Sequence, residues 1–283
     1  MALAHNLGFP RIDADRELKK ALEASCNGQY AQELSQWFDG DYHALVPEFS
    51  QDQRCELSWN QLLEETAEAL ALGHKVKPVI IGPLTWLWLG KGNDLNKLEL
   101  LENLLPVYAD ILSRLAEQGV EWVQIDEPIL SVDLPQEWKN AFERAYHILQ
   151  YSPLKKLVAT CFSGLHDNLG LAVGLPVDGL HVGLVRAPDQ LHAILDRLPT
   201  YKVLSLGLAD GRNVGRGDLE NALAQVQEAQ ERFGDNLWVA GSCSLLHSPV
   251  ELDCETELDT ELKSWMATYS LNAIGSRATV QVA

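Results

Sequence analysis

The sequence is short of the devices that hold secreted or metal-bound domains together. Its five cysteines, Cys26, Cys55, Cys161, Cys243 and Cys254, are odd in number, irregularly spaced and without a C-x-x-C pair. Such a set favours a reduced, cytoplasmic protein over a disulfide scaffold. No apolar run approaches the ~18 residues of a membrane span, and the opening residues MALAHNLGFPRID lack the apolar core and cleavage pattern of a leader. Cations are scarce, with 22 Lys and Arg against 40 Asp and Glu and a formal net charge of −18. Nucleic acids and anionic membranes select a basic footprint, so neither is expected as a partner. A small anionic ligand needs only a local cluster of Lys and Arg and stays compatible. No G-x-G-x-x-G and no G-x-x-x-x-G-K-[ST] occurs, so neither a dinucleotide site nor a P-loop is supported.

What is present is an ordinary globular composition, 46% apolar and 22% charged over 283 residues. One α/β barrel of about 250 residues would use nearly all of it. The most informative stretch is GVEWVQIDEP. Val120 to Gln124 reads as a strand, Asp126 and Glu127 follow as adjacent acids, and Pro128 ends the pairing because it has no N–H to donate. Acids at a strand tip suit an active site. They equally suit a helix cap or an ion pair.

Around it the chain alternates. Leu3 to Phe9 reads as a strand ending in Pro10-Arg11, and a helix follows from Asp13 or Asp15. Arg16, Lys19 and Lys20 share one face of that helix. Cations near a helix N-terminus oppose its dipole, so they read either as a solvated basic face or as receptors for an anion. AQELSQWFDG suggests one or two helical turns, and Asp41 to Phe49 is aromatic and broken by Pro47. Trp59 to Leu72 is an amphipathic helix with Ser58 as cap and Gly73 as stop, Val76 to Thr85 a strand, and Leu95 to Gln118 a long helix that Pro106 divides or kinks. Helices then fall at Pro135–Leu149, Leu165–Val173, Pro188–Leu198, Asp218–Phe233 and Thr256–Tyr269, and strands at Lys156–Phe162, Val177–Val185, Lys202–Leu208 and Leu237–Ser242. Such alternation predicts a parallel sheet and a TIM-type (β/α)8 barrel, with seven recognisable strands and the eighth missing between Phe9 and Val76. The strand tips are Pro10-Arg11, Pro83 to Thr85, Asp126-Glu127, Cys161 to Ser163, Val185-Arg186, Ala209 to Asn213 and Cys243 to His247.

Four stretches, LGFPRIDADRELKKALE, VKPVIIGPLTWLWLGK, GVEWVQIDEP and LWVAGSCSLLHSPVELDCETELDTELKSW, in that order, resemble the N-terminal domain of cobalamin-independent methionine synthase. That family moves a methyl group from 5-methyltetrahydropteroyl-triglutamate to homocysteine with two face-to-face barrels. The resemblance implies that residues 1–270 form the N-terminal barrel, shortened near 24–32, and that 271–283 are an unrelated tail. It also implies that zinc and homocysteine belong to the C-terminal barrel, so no cofactor or metal is expected in this chain. Methyl transfer would then require a separate catalytic-barrel chain. By the same resemblance Arg16, Glu17, Leu18 and Lys19, with Lys20 beside them, bind the polyglutamate tail of the folate. Guanidinium and ammonium groups are the expected receptors for a chain of carboxylates. A second tail-binding lysine of the family corresponds to Gln36, whose amide cannot supply the charge. Cys243 stands where the catalytic barrel has a cysteine ligand, but neither Thr160-Cys161 nor Gly183 supplies the expected His and acid. Asp126 and Glu127 are expected to survive from duplication of the barrel, orienting loops or pairing with Arg11 or Arg186. The alternatives are a non-catalytic folate-tail binder and a degenerate, unstable gene product. A shortened barrel leaves open sheet edges, covered by the Asp41 to Phe49 region or by another chain.

Overall fold

The computed structural model describes residues 32–36, 43–51, 53–57, 60–92, 95–161, 163–213, 215, 217–244, 252 and 256–266. They fall into two compact units. The first holds the described residues up to Ile129 together with Pro135–Leu154, and the second holds Leu130–Leu134 and the described residues from Lys155 onward.

The first unit begins with a two-stranded antiparallel hairpin of β1 (Gln32–Gln36) and β2 (His43–Pro47), in the register Leu34↔Leu45. The helical turns expected in AQELSQWFDG and the broken segment at Asp41 are corrected here to paired strands. Gln, Glu and Leu are good helix formers, but over five residues that preference is small and cross-strand pairing overrides it. Past β2, Glu48 bridges to Lys91, with Phe49 N–H donating to the Lys91 carbonyl at 2.6 Å. This docks the buried Phe49 ring against Trp86, centroids 4.8 Å apart.

Helix α1 (Gln61–Ala71) is followed by β3 (Val79–Ile81) and α2 (Pro83–Leu89). The strand expected over Val76 to Thr85 is cut short because Pro83, whose φ suits a first helical position, starts α2 at once. A 3-10 turn at Lys97–Leu100, capped by Asn96, leads into α3 (Leu101–Glu117). That helix runs through Pro106 without dividing, and the change of helix type falls instead at Leu100. Gly73 and Gly119, at φ +82° and +89°, end α1 and α3 as predicted. Strand β4 (Trp122–Asp126) pairs parallel with β3, Ile80 opposite Ile125. Helix α4 (Gln136–Leu149) buries the expected face of Trp138, Ala141, Phe142 and Ala145, along with Tyr146 and Leu149. Each such large apolar side chain contributes about 1.5–3 kcal/mol before conformational entropy is counted.

The second unit is a four-stranded parallel sheet in sequential order: β5 (Lys155–Thr160), β6 (Gly179–Gly183), β7 (Val203–Ala209) and β8 (Leu237–Gly241). Ala159, His181, Ser205 and Trp238 lie in one row across it. Strands β5 to β7 are buried almost along their length, as in sheets covered on both faces. The connections carry α5 (Leu169–Gly174), α6 (Gln190–Arg197) and α7 (Leu219–Phe233), the last capped by Asp218, whose carboxylate accepts from Asn221 N–H at 3.0 Å. A short α8 (Thr260–Trp265) lies within the expected Thr256–Tyr269 helix.

Among the described residues there are thus six of the seven expected parallel strands, each leading into helix; the first, Leu3 to Phe9, lies outside them. This is the βα alternation of a TIM-type barrel.

Candidate functional site

Strand β4 ends at Asp126, and Glu127 follows directly after it. Alternate residues on a strand face opposite ways, and Asp126 and Glu127 follow that rule. Glu127 is fully buried. Its carboxylate accepts from Thr85 N–H (2.8 Å), Thr85 hydroxyl (2.5 Å), Leu84 N–H (3.3 Å) and the Tyr146 hydroxyl (3.1 Å). It is therefore a cap for the start of α2 delivered from another part of the chain. Helix starts leave N–H groups without internal partners, and a carboxylate is a favoured acceptor there. Burial pushes the Glu127 carboxyl up to about 7 even though Thr85, Tyr146 and Leu84 all favour the ionised form.

Asp126 is also buried, but it shares its face with Gln124. Gln124 donates to Asp126 Oδ1 at 2.8 Å and accepts from Lys77 Nζ at 2.8 Å, making a chain Lys77–Gln124–Asp126. Burial raises the Asp126 carboxyl to about 6, opposed by the Gln124 bond and the Lys77 charge, and lowers the Lys77 ammonium to about 8, opposed by Asp126. The two carboxyls hydrogen-bond to separate sets of partners, an arrangement that does not favour paired general acid–base hydrolysis. Asp126 lies beside Lys77; of its expected partners, Arg11 lies outside the described residues and Arg186 belongs to the second unit. Thr85 stood at an expected strand tip, whereas Tyr146, Lys77 and Gln124 were not singled out as site residues in the sequence. The usable signal was strand pairing: β3 beside β4 brings Lys77 and the start of α2 next to the two acids.

In the second unit the tips of β6, β7 and β8 gather as the barrel reading anticipated. Gly183, Val185, Arg186, Asp210, Arg212, Ser242 and Cys243 line one cleft. Burial pushes the Cys243 thiol up; Asp210 adds to this, while Ser242, Arg212 and the Gly211 N–H oppose it. Cys243 is thus a mostly neutral thiol near pH 7. His181 is buried with Nδ1 2.9 Å from the Ser205 hydroxyl. Among the described residues no three His, Cys, Asp or Glu side chains are arranged to hold a metal ion. A catalytic zinc needs three or four converging ligands, and Cys243 with its described neighbours does not fit one. His247 lies outside the described residues. So do Arg16, Glu17, Leu18, Lys19 and Lys20, and of Gln36 only the backbone, at the end of β1, is described. Among the described residues no helix is long and apolar enough to cross a membrane.

Comparison with known proteins agrees with this architecture. A B12-independent methionine synthase from Shewanella sp. W3-18-1, solved with selenomethionine, superposes with a TM-score of 0.62 at 16% identity, over 87% of this chain and 73% of that one. A putative vitamin-B12-independent methionine synthase from Listeria monocytogenes gives 0.53 at 17%, over 68% and 65%. A methyltransferase from Methanosarcina mazei gives 0.55 at 14%, over 77% and 71%. The chain thus spans just under two thirds of the Listeria protein. Residues 25–234 match the model of the cobalamin-independent synthase N-terminal domain, a segment that begins just after Arg16–Lys20. This chain belongs to the family of cobalamin-independent methionine synthase N-terminal domains.

Proposed function

We propose that this chain is the folate-polyglutamate-binding module of a cytoplasmic methionine synthase. It holds 5-methyltetrahydropteroyl-triglutamate, and the zinc and homocysteine of the methyl transfer sit on a barrel supplied from outside these 283 residues. The observation that carries this reading is family membership over residues 25–234, joined to the R-E-L-K-K run at Arg16–Lys20 just before it. Arg16 and Lys19, with Lys20, offer charge-assisted hydrogen bonds to the tail carboxylates. Glu127 is committed to capping α2, which agrees with a barrel that binds and does not itself catalyse.

Calorimetric titration with the triglutamate form tests this. Binding is expected, weakened by salt and by roughly tenfold or more in Arg16→Ala and Lys19→Ala. Absence of binding, or binding blind to both substitutions, sinks the reading. Adding a separately purified catalytic barrel is expected to produce methyl transfer. Gln36, standing where the family has a lysine, favours the second reading of a non-catalytic tail binder; tail binding without transfer in the mixture would establish that one.

A further inference from the structure

The second unit carries a cavity, larger than the cleft at Cys243, that the folate reading does not use. Its volume is about 220 Å³, where one water needs about 10–15 Å³. It opens at the C-terminal ends of β6 and β7, the end at which parallel α/β sheets bind their ligands. Leu184, Val185 and Pro188 after β6, with Leu208 on β7, give it an apolar wall. Val185 is 37% exposed there.

Helix α7 supplies a second wall, and its polarity is the reverse of the usual one. Asp218, Asn221, Ala222 and Gln225 all line the cavity, at the spacing i, i+3, i+4 and i+7 that makes one stripe. In a surface helix such a stripe is normally apolar and faces the core. Here Leu219 and Leu223 stand 67% and 41% exposed instead. Further along α7 the usual order returns, with Val226, Ala229 and Phe233 buried. The reversal is confined to the part of α7 that borders the cavity. Packing does not account for a polar stripe there, and a polar ligand does.

The lining also sets the charge of that ligand. Asp210 and Asp218 each use one carboxylate oxygen locally, accepting from Arg212 N–H at 2.9 Å and from Asn221 N–H at 3.0 Å, which leaves each a second oxygen. The side-chain amides of Asn221 and Gln225 have no hydrogen-bond partner among the described residues. Among the described lining residues there is no Lys or Arg. Two carboxylates beside an apolar wall, in a chain of net charge −18, select a cation with an apolar body and reject an anion.

We infer that this cavity binds a small organic cation, an ammonium group on a short alkyl body. The ammonium donates to Asp210 and Asp218, and the alkyl part lies on Leu184, Val185 and Leu208. The site rests on the second unit alone and stands or falls separately from anion binding at Arg16–Lys20.

The test titrates the full chain calorimetrically with butylammonium chloride at low ionic strength, against neutral 1-butanol and anionic butyrate. Butylammonium is expected to bind roughly tenfold or more tightly than either. Asp210→Asn and Asp218→Asn should each weaken it by roughly tenfold. Both keep an oxygen for the local N–H, and Asn is itself a good N-cap, so both variants are expected to fold. Ala222→Leu should abolish binding by filling the cavity with no change of charge. Glu231→Gln, at an exposed acid of α7 away from the cavity, is expected to leave affinity unchanged. Equal losses in Glu231→Gln and Asp210→Asn would mean diffuse attraction to an acidic surface and overturn the inference. So does equal affinity for 1-butanol, and so does no binding at millimolar butylammonium. Circular dichroism checks the fold of each variant. If Ala222→Leu fails to fold, the two Asn variants carry the test, and unchanged affinity in both overturns it.

Discussion

Glu127 accepts both the backbone N–H and the hydroxyl of Thr85, at 2.8 and 2.5 Å, and so ties the tip of β4 to the first turn of α2. Deleting this acceptor strands four donors in a dry site, since Leu84 N–H and the Tyr146 hydroxyl use the same carboxylate. Glu127→Ala is expected to destabilise the chain by about 3 kcal/mol or more. Each carboxylate oxygen accepts one helix N–H and one hydroxyl, so Glu127→Gln keeps one such pair and sets its NH2 against the other, where the hydroxyl can turn to accept and one backbone N–H loses its acceptor. This substitution should lose less. Urea melts of both variants decide this; equal and small losses would show that the cap is not structural.

Gly82 supplies a second test of the same joint. A Cβ there would overlap the Glu127 carboxyl group, which is held by four hydrogen bonds and cannot swing away cheaply. Gly82→Ala is expected to cost about 1–3 kcal/mol, as overpacking does. Combined with Glu127→Ala the two losses should fall short of their sum, because residues in contact are not additive. A double-mutant cycle by thermal melting measures the shortfall.

The sequence made the parallel strands legible because buried strands such as LHVG and VLSLGLA are short apolar runs between turn signals, and the tips at Arg186, Asp210 and Cys243 followed directly. The hairpin at Gln32–Pro47 was not legible: its residues have mixed local preferences and its order comes from cross-strand pairing. The division of labour at Asp126-Glu127 was half legible. Strand alternation predicted that they face opposite ways, but nothing local to them announced Thr85 or Tyr146 as partners, since those contacts come from sequence separations of 42 and 19.

Lys202 is buried, and its Nζ donates to the carbonyls of Val173 at 2.9 Å and Leu175 at 2.6 Å. These carbonyls lie at the C-terminal end of α5, where a cation also complements the helix dipole. Burial lowers its pKa, partly offset by Asp178. Lys202→Ala leaves the Val173 carbonyl without this donor, while Leu175 still accepts from Val177 N–H at 2.9 Å, a loss of about 1–2 kcal/mol. The comparison is Lys75→Ala, at an exposed lysine just past the end of α1, expected to change stability by about 0.5 kcal/mol or less. Denaturant midpoints compare the two, and equal shifts would mean that the Lys202 bonds add nothing to the fold.

The pH dependence of stability should have two limbs of opposite sign. Glu127 and Asp126 are raised by burial to about 7 and about 6, from ordinary values of 4.5 and 3.8. Between those values the folded state holds protons that the unfolded state has released, so stability is highest on the acid side of the window and falls as pH rises from about 4 to about 7. Lys77 is lowered by burial from 10.5 to about 8. From about 8 upward the unfolded chain binds the extra proton, so stability recovers toward about 10.5. Melting temperature recorded across this range should therefore pass through a minimum between about 7 and 8. Glu127→Gln is expected to flatten the descending limb and Lys77→Met the ascending one. A wild-type curve that instead rises steadily from about pH 4 to 7 would mean that the two carboxyls are held below their ordinary values and that hydrogen bonding, not burial, governs them.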